Sequence, residues 1–383
     1  MPAGLPEPPV SFPAPVEPEQ RERADTTPGT VGRCHRRSTV TVSAPSRIDF
    51  TGGFTDVTPY CNLYGSVQVN AGLNLRTTVR ATSHSGAYVR VRSGAAGKCW
   101  QWDLAEASVP AGGSRLVWFI VNGAAPNVGL EIDIEAEVPL GAGLASSGSL
   151  SVALTEALLR LKGCNTSPAA TAELAVEFER RAGIRGGRQD QYAAAHGGVN
   201  MFLFGDNPAV ATVPLAERAE MNWLEDRLVI AHAPGQRESS DLVGAILGAY
   251  EGGDPTVTAA LLKLNRLGLR LAEAVRGTNL PALMSHIDAV GAAQRDLHPS
   301  IIDPRFDHVL EAFGRSRVAA AKVIGGGGPG GCLLLAFEPR NRATVERAFT
   351  GTGIDLIEVR LADQGIVPLP QTLGVTHGHA TLD

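Results

Sequence analysis

The sequence predicts an α+β protein built from two domains. Three observations carry that reading. Several short runs alternate apolar and polar residues, as strands with one wet face do. Other runs place apolar residues three and four apart, as helices with one buried face do. The two kinds of run are mixed along the chain without strict β–α–β repetition, which favours α+β. A length of 383 residues suits two domains of ordinary size.

Residues 1–37 are rich in Pro, Glu and Arg and show no period, so they read as a disordered leader. The folded part begins at STVTVSAPSRIDF, where Val40, Val42 and Ala44 alternate with polar residues. Alternation returns at 67–80 through Val67, Val69, Ala71, Leu73 and Leu75. It returns again at 128–138 through Leu130, Ile132, Ile134, Ala136 and Val138, with acids on the other face. After residue 148 the period changes, and Leu150, Leu154, Ala157, Leu158 and Leu161 share one helical face. A second helix is expected over 168–183, ended by Gly183. GVNMFLF and RLVIAHA read as strands, 257–276 and 280–297 as helices, GCLLLAFE and IDLIEVRLA as closing strands. GDNPA breaks the pattern near residue 206, dividing the folded part into 38–206 and 207–383.

Composition narrows the function. Net charge is −5, so no global basic footprint points to nucleic acid. No apolar run reaches the roughly 18–20 residues that a membrane span needs. The N-terminus has no apolar signal-peptide core. Cys34, Cys61, Cys99, Cys164 and Cys332 are odd in number, and no two are spaced as C-x-x-C. They read as reduced thiols of a cytoplasmic protein, not as a disulfide frame or a zinc site.

The most informative stretch is EVPLGAGLASSGSLSVALTEALLRL, 137–161. A strand ends at Pro139, a loop of small residues follows, and a helix opens with Ser146, Ser147, Gly148 and Ser149. A helix N-terminus presents unpaired N–H groups and the positive end of the dipole, which suits an anion. Gly141 and Gly143 let backbone approach closely, and the serine hydroxyls suit capping or a metal ion. The plain alternative is an ordinary capped helix. The loop is not of Walker A type, because no Gly-Lys-Ser/Thr follows.

In GIRGGRQDQYAAAHGGVNMF, 183–202, Asp190 sits between two glutamines, near Arg188 and framed by glycine pairs. It suits a general base on a hydroxyl, or a cap on a helix starting at Gln191. In APSRIDFTGGFTDVTPY, 44–60, Arg47 ends a strand, and Thr55 and Asp56 follow a Gly-Gly turn. These residues suit a hydroxylated ligand, or simply a charged turn. IGGGGPGG, 324–331, holds six glycines in eight positions between RVAAAKV and CLLLAF. A flexible spacer has no use inside a domain, so a turn or a close approach to ligand is expected.

Together and in this order, these stretches resemble the GHMP kinase superfamily, which includes galactokinase, homoserine kinase, mevalonate kinase and phosphomevalonate kinase. The likeness spans most of residues 38–340. PLGAGLASSGS resembles the superfamily phosphate loop, with Ala145 and Gly148 in place of the usual Gly and Ala. KVIGGGGPGGCLLL resembles the C-terminal glycine motif. GGFTDVTPY and GGRQDQYAAA are most similar to the D-glycero-D-manno-heptose 7-phosphate 1-kinase and fucokinase-like sugar anomeric kinases. Phe54 stands where the heptose kinases usually carry Gly, and Arg188 where they carry Lys. The Gly-Glu-His-Thr-Asp pattern of galactokinases is absent.

The resemblance implies an N-terminal ribosomal-protein-S5-like α/β domain and a C-terminal ferredoxin-like α+β domain. It implies phosphoryl transfer from ATP, with Mg2+, to the anomeric hydroxyl of a sugar phosphate. A heptose 7-phosphate or octose 8-phosphate of nucleotide-sugar or antibiotic biosynthesis is the expected acceptor. By the same likeness, the ATP phosphates would lie on Pro139, Gly141, Gly143, Leu144, Ala145, Ser146, Ser147 and Gly148. Gly326 and Gly327 would close over them. Ser147 and Glu179 would hold Mg2+, with Glu177 as the competitor of Glu179. Asp190 would accept or orient the hydroxyl proton, and Arg47 would stabilise the transferring charge. Asp56, Thr55, Gly53 and Gln189 would bind the sugar, and Arg188 a distal phosphate or the transferring group. Arg76 and Arg237 are further partners for a distal phosphate. A galactokinase-, fucokinase- or homoserine-kinase-like activity is the alternative, and a non-catalytic sugar sensor a third reading. A monomer or homodimer that binds neither nucleic acid nor membrane is expected.

Overall fold

A computed structural model describes residues 37–94, 97–105, 108–110, 114–138, 141–206, 210–235 and 239–370. The leader over 1–36, Pro139 and Arg237 lie outside the described residues. The first part of the chain runs β1 (Thr39–Asp49), α1 (Tyr60–Tyr64), β2 (Ser66–His84), β3 (Tyr88–Ser93), β4 (Lys98–Asp103), α2 (Arg115–Ala124) and β5 (Gly129–Ala136). Three helices follow, α3 (Ser146–Leu161), α4 (Pro168–Arg181) and α5 (Gln189–His196), then β6 (Val199–Phe204) and β7 (Ala211–Ala216). Next come α6 (Arg218–Glu225), β8 (Leu228–His232), α7 (Ser239–Glu251), α8 (Pro255–Arg276) and α9 (Leu280–Leu297). The chain closes with α10 (Asp307–Ser316), β9 (Ala319–Ile324), β10 (Cys332–Phe337), α11 (Arg342–Ala348), β11 (Asp355–Glu358) and β12 (Val367–Leu369). Among the described residues no helix is long and apolar enough to cross a membrane.

The first sheet is ordered β12-β1-β2-β5-β3-β4, with β6 also on β2 and β7 on β6. The 19-residue β2 makes this layout workable. One edge pairs with β1, and the other takes β6 at its start and β5 at its end. Among the described residues only β3 and β5 pair in parallel. The alternation read from the sequence sets the register. Val79, Ala81, Leu130, Ile132 and Ile134 bury against Ile120 of α2, Leu154 and Leu158 of α3, and Phe178 of α4. Glu131 and Asp133 face outward and pair with Arg90 and Arg92. Each fully buried Leu or Ile is worth about 1.5–3 kcal/mol, against ~0–1 kcal/mol for an exposed ion pair, so the apolar face decides.

The second sheet is antiparallel, ordered β11-β8-β10-β9. Leu228, Ile230, Leu334 and Ala336 pack toward α8 and α9 on one face. Val229, Ala231, Leu333, Leu335 and Phe337 pack with Val309 and Phe313 of α10 and Val345 of α11 on the other. Covered on both faces, β8 and β10 read as continuous apolar runs without alternation.

The two-domain α+β architecture therefore stands, but the first sheet does not end near residue 206. β7 joins β6, and β12 pairs with β1 through Thr41–Leu369, Val42–Pro368 and Ser43–Val367. The second sheet is inserted between them. IDLIEVRLA is correspondingly divided: Asp355–Glu358 pairs with β8, whereas Leu361 bridges Leu73 of β2.

Candidate active site

A cavity of about 310 Å³ opens where the two sheets' loops meet. It is lined by Arg47, the 53–57 turn, the 141–147 loop, Glu179, residues 184–191 and the start of the glycine run. The helix that leads away from the loop is fixed firmly. Val152, Ala153, Leu154, Ala157 and Leu158 of α3 are all fully buried, and Ser149 Oγ donates to the Ala44 carbonyl at 2.8 Å.

Arg47 follows a bulge between Pro45 and Ser46 of β1, which re-aims the strand end. Its Nε and Nη2 donate to Asp190 Oδ1 at 2.9 and 2.7 Å, and its Nη1 donates to the Gly143 carbonyl at 2.9 Å. Burial opposes the guanidinium charge, but Asp190 and Asp49 outweigh it and keep Arg47 protonated. Asp190 lies in the first turn of α5, a helix that starts at Gln189 rather than at Gln191. Gly148 of α3 faces it. A Cβ there would lie 2.7 Å from Asp190 Cβ, so glycine is what lets the two helix starts meet. Gly148 thus supports the site from behind; it does not line the cavity.

Asp56 sits across the cavity. Its Oδ2 accepts the Arg188 and Gln189 amides at 2.7 and 2.9 Å. Its Oδ1, like Gln189 Oε1, is buried without a hydrogen-bond partner. Burial pushes the Asp56 carboxyl up to about 6, and nearby Asp190 adds to this against the amide bonds. A Cβ on Gly187 would fall 1.8 Å from the Asp56 carboxylate. Gly53, Phe54 and Val57 line the same side. Phe54 has φ 67, a left-handed conformation that a bulky side chain rarely adopts.

Two expected sugar contacts point elsewhere. The Arg188 guanidinium pairs with Glu173 and lies 5.7 and 5.2 Å over the Tyr192 and Phe204 rings, while its amide donates to Asp56. Thr55 is 1% exposed, and its hydroxyl joins Ser66 Oγ and Gln68 Nε2 at 2.8 and 2.6 Å beneath the turn. Both side chains are drawn off by stronger local partners. Arg76 is likewise engaged, donating to Ser43 and to the Gln364 and Gly365 carbonyls outside the cavity.

On the opposite side, Gly141, Gly143 and Ala145 all have positive φ, of 79, 78 and 62. Ala145 therefore keeps the backbone that a glycine would adopt, at a steric cost. Leu144 points into the core, and its carbonyl accepts the Arg47 amide at 3.2 Å. Ser146 and Ser147 open α3 at the cavity. Glu179 of α4 also lines it, accepting from Ser151 Oγ at 2.7 Å. Burial, aided by Asp190, raises the Glu179 carboxyl to about 7. Glu177 instead pairs with Arg180 and Arg181 at the surface.

The glycine run divides in two. Gly325 and Gly326 line the cavity, and a Cβ on Gly325 would lie 2.6 Å from the Gly143 carbonyl. Gly327 does not line it. It turns the chain at φ 62, where a Cβ would meet the Ile301 carbonyl at 2.4 Å, so it is a packing glycine.

Sequence reasoning missed Asp49 and Lys322, which form a fully buried ion pair at 2.8 Å behind the cavity. The signal was present: Lys322 is the one charge in AAAKVI, and Asp49 shares a strand face with Arg47.

Residues 115–198 match the family described as GHMP kinases N terminal domain. Over 320 residues the chain is 23% identical to the D-glycero-alpha-D-manno-heptose 7-phosphate kinase of Campylobacter jejuni, across 81% of this chain and 93% of that one. It is 24% identical over 314 residues to the bifunctional fucokinase/GDP-fucose pyrophosphorylase of Arabidopsis thaliana, across 77% of this chain and 30% of that one. The fold matches a D-glycero-D-manno-heptose 1-phosphate kinase from Bacteroides thetaiotaomicron with a TM-score of 0.68. That match is 22% identical and covers 86% of this chain and 99% of the other.

Proposed function

We propose that the chain, which belongs to the GHMP kinase superfamily and is a phosphotransferase, moves the γ-phosphoryl group of ATP onto the anomeric hydroxyl of a sugar phosphate. A heptose 7-phosphate or octose 8-phosphate is the favoured acceptor. The observation that carries the reading is the Arg47–Asp190 contact beside the open start of α3.

Phosphoryl transfer asks a protein for position and charge stabilisation more than for covalent help. The amides that open α3 and the small-residue loop suit the ATP phosphates. Asp190 accepts the proton of the attacking hydroxyl. An anomeric hydroxyl is more acidic than an ordinary alcohol, which lightens that task. Arg47, fixed on Asp190 and the Gly143 carbonyl, faces the charge that builds up on the transferring group. Asp56 Oδ1 and Gln189 Oε1 accept from sugar hydroxyls, which would complete the hydrogen bonding of both atoms.

Mg2+ fits the donor set, because the Glu179 carboxyl is desolvated and repelled by Asp190 while the Ser147 hydroxyl stands at the same cavity. Ser147 and Glu179 would hold it. When bound it neutralises phosphate charge. Arg185 lines the cavity and pairs with the surface acid Glu251, so it suits a distal phosphate.

Phe54, Val57 and Val243 give the cavity an apolar wall, which favours a second reading: a fucokinase-like enzyme acting on an unphosphorylated sugar with a methyl end. The deciding experiment assays ATP turnover with six-, seven- and eight-carbon sugar phosphates, the matching free sugars, fucose and homoserine. Phosphorus NMR then locates the new phosphate. Turnover of a seven- or eight-carbon sugar phosphate, with the new group on C1, supports the first reading. Turnover of free sugars or homoserine alone overturns it.

A further inference from the structure

The buried pair of Asp49 and Lys322 has no role in the chemistry above, yet it joins three segments that frame the cavity. Asp49 lies two residues beyond Arg47 on β1. Its Oδ2 accepts from Lys322 Nζ at 2.8 Å and from the Gly52 amide at 3.0 Å. Its Oδ1 accepts from the Gly325 amide at 2.8 Å and stands 3.7 Å from Arg47 Nη1. Lys322 also donates to the Asp49 carbonyl. One carboxylate therefore ties together the arginine strand, the Gly52–Phe54 turn and the glycine run. Gln294 of α9 repeats the link. Its Nε2 donates to the Val323 and Gly52 carbonyls at 2.9 and 3.4 Å, and its Oε1 accepts the Val323 amide at 2.8 Å.

We propose that Asp49 and Lys322 are positioning residues that hold Arg47 and the glycine run in one frame across the two domains. The inference rests on Arg47 and Asp190 meeting the reacting groups. Stability alone does not explain the pair. Desolvating two charges offsets much of their attraction, and well-packed apolar residues hold two domains at least as firmly. Geometry supplies the better reason. Asp49 is close enough to compete with Asp190 for the Arg47 guanidinium. Lys322 occupies Asp49 and leaves the arginine fork on Asp190. Burial would push the Asp49 carboxyl up, but Lys322 and Arg47 outweigh it and keep Asp49 ionised. It can thus accept every one of these bonds at once.

The test compares the parent with Lys322→Met and with the double variant Asp49→Asn/Lys322→Met, which removes both buried charges together. The double variant should melt near the parent. Its turnover should fall ~100-fold, as for a misplaced reacting group, with KM for ATP within about 3-fold. Amide hydrogen exchange over 325–331 and 52–56 should quicken at least ~10-fold, while exchange elsewhere stays put. Parental turnover, or parental exchange in these two segments, overturns the proposal. If the double variant does not fold, Lys322→Arg keeps the charge but moves the donor. Slow turnover at the parental melting temperature then supports positioning, and parental turnover overturns it. Should no acceptor be phosphorylated by the parent, the proposed function falls, and the exchange measurement alone decides the role of the pair.

Discussion

The two sides of the cavity are built from different materials. The side formed by the 141–147 loop and Gly325–Gly326 is made of backbone and small residues packed against one another, as Gly325 against the Gly143 carbonyl illustrates. The side formed by the 53–57 turn and 184–191 presents buried side-chain acceptors, Asp56 Oδ1 and Gln189 Oε1, whose hydrogen bonding the protein does not complete. Amides in fixed directions are enough to hold a phosphate. A sugar is told from its neighbours by acceptors that cost about 1–3 kcal/mol each when left unpaired. On the proposed function, the first side would hold the phosphates and the second would choose the substrate. The second side also holds Phe54, whose bulky ring stands at the cavity in a left-handed backbone conformation.

The largest expected effect lies at the junction of the two sides. Asp190→Ala should lower kcat by ~100-fold or more, as for loss of a general base, while affinity for a non-hydrolysable ATP analogue stays within about 3-fold. Near-parental turnover would break the comparison, because the acid would then serve neither side. Gly148→Ala pushes a methyl toward Asp190 Cβ, which is only 2.7 Å away. We expect kcat to fall ~10- to 100-fold and stability to drop by about 1–3 kcal/mol, read from kinetics and urea melts.

Glu179→Gln sharpens the electrostatic half of the contrast. The carboxyl is raised from 4.5 to about 7 in the folded protein. Below pH 4.5 it is protonated whether folded or not, and its contribution is fully present. That contribution is lost as pH climbs through about 7, because the unfolded chain ionises freely. In metal-free buffer the Gln variant should therefore gain on the parent from pH 4.5 to 7, by up to about 3 kcal/mol, and hold that lead above. Melting curves across this range check the sign, and an advantage that shrinks with pH would refute it. Added Mg2+ should stabilise the parent but not the variant. The smallest effect is expected at Ala145→Gly, where relief of the left-handed strain exceeds the added entropy of the unfolded chain by about 1 kcal/mol or less, seen as a small rise in Tm.

The sequence disclosed most of what depends on local pattern. The alternation of Leu130, Ile132 and Ile134 marked β5, and the small-residue loop before Leu150 marked the start of α3, because periodicity and glycine content are properties of neighbours in the chain. What stayed hidden depends on neighbours in space. Arg188 looked like a ligand-binding cation until Glu173 and two aromatic rings claimed its guanidinium. Thr55 lost its hydroxyl to Ser66 and Gln68 in the same way. Gly327 looked equivalent to Gly326, and only the position of the Ile301 carbonyl separates them. Glu177 and Glu179 lie two residues apart on α4, so the helix turns one toward solvent and the other toward the cavity.

The three residues of β12 change how the molecule must be made. Its partner β1 precedes the second sheet in the chain, yet β12 follows the whole of it. Until it arrives, one flank of β1 carries open amides and carbonyls of the kind that invite pairing with another chain. Leu361, the partner of Leu73, and the Gln364 and Gly365 carbonyls that receive Arg76 come equally late. The order of synthesis is therefore not the order of completion. The first domain is begun first and sealed last, with the second enclosed between its ends like a stone in a clasp.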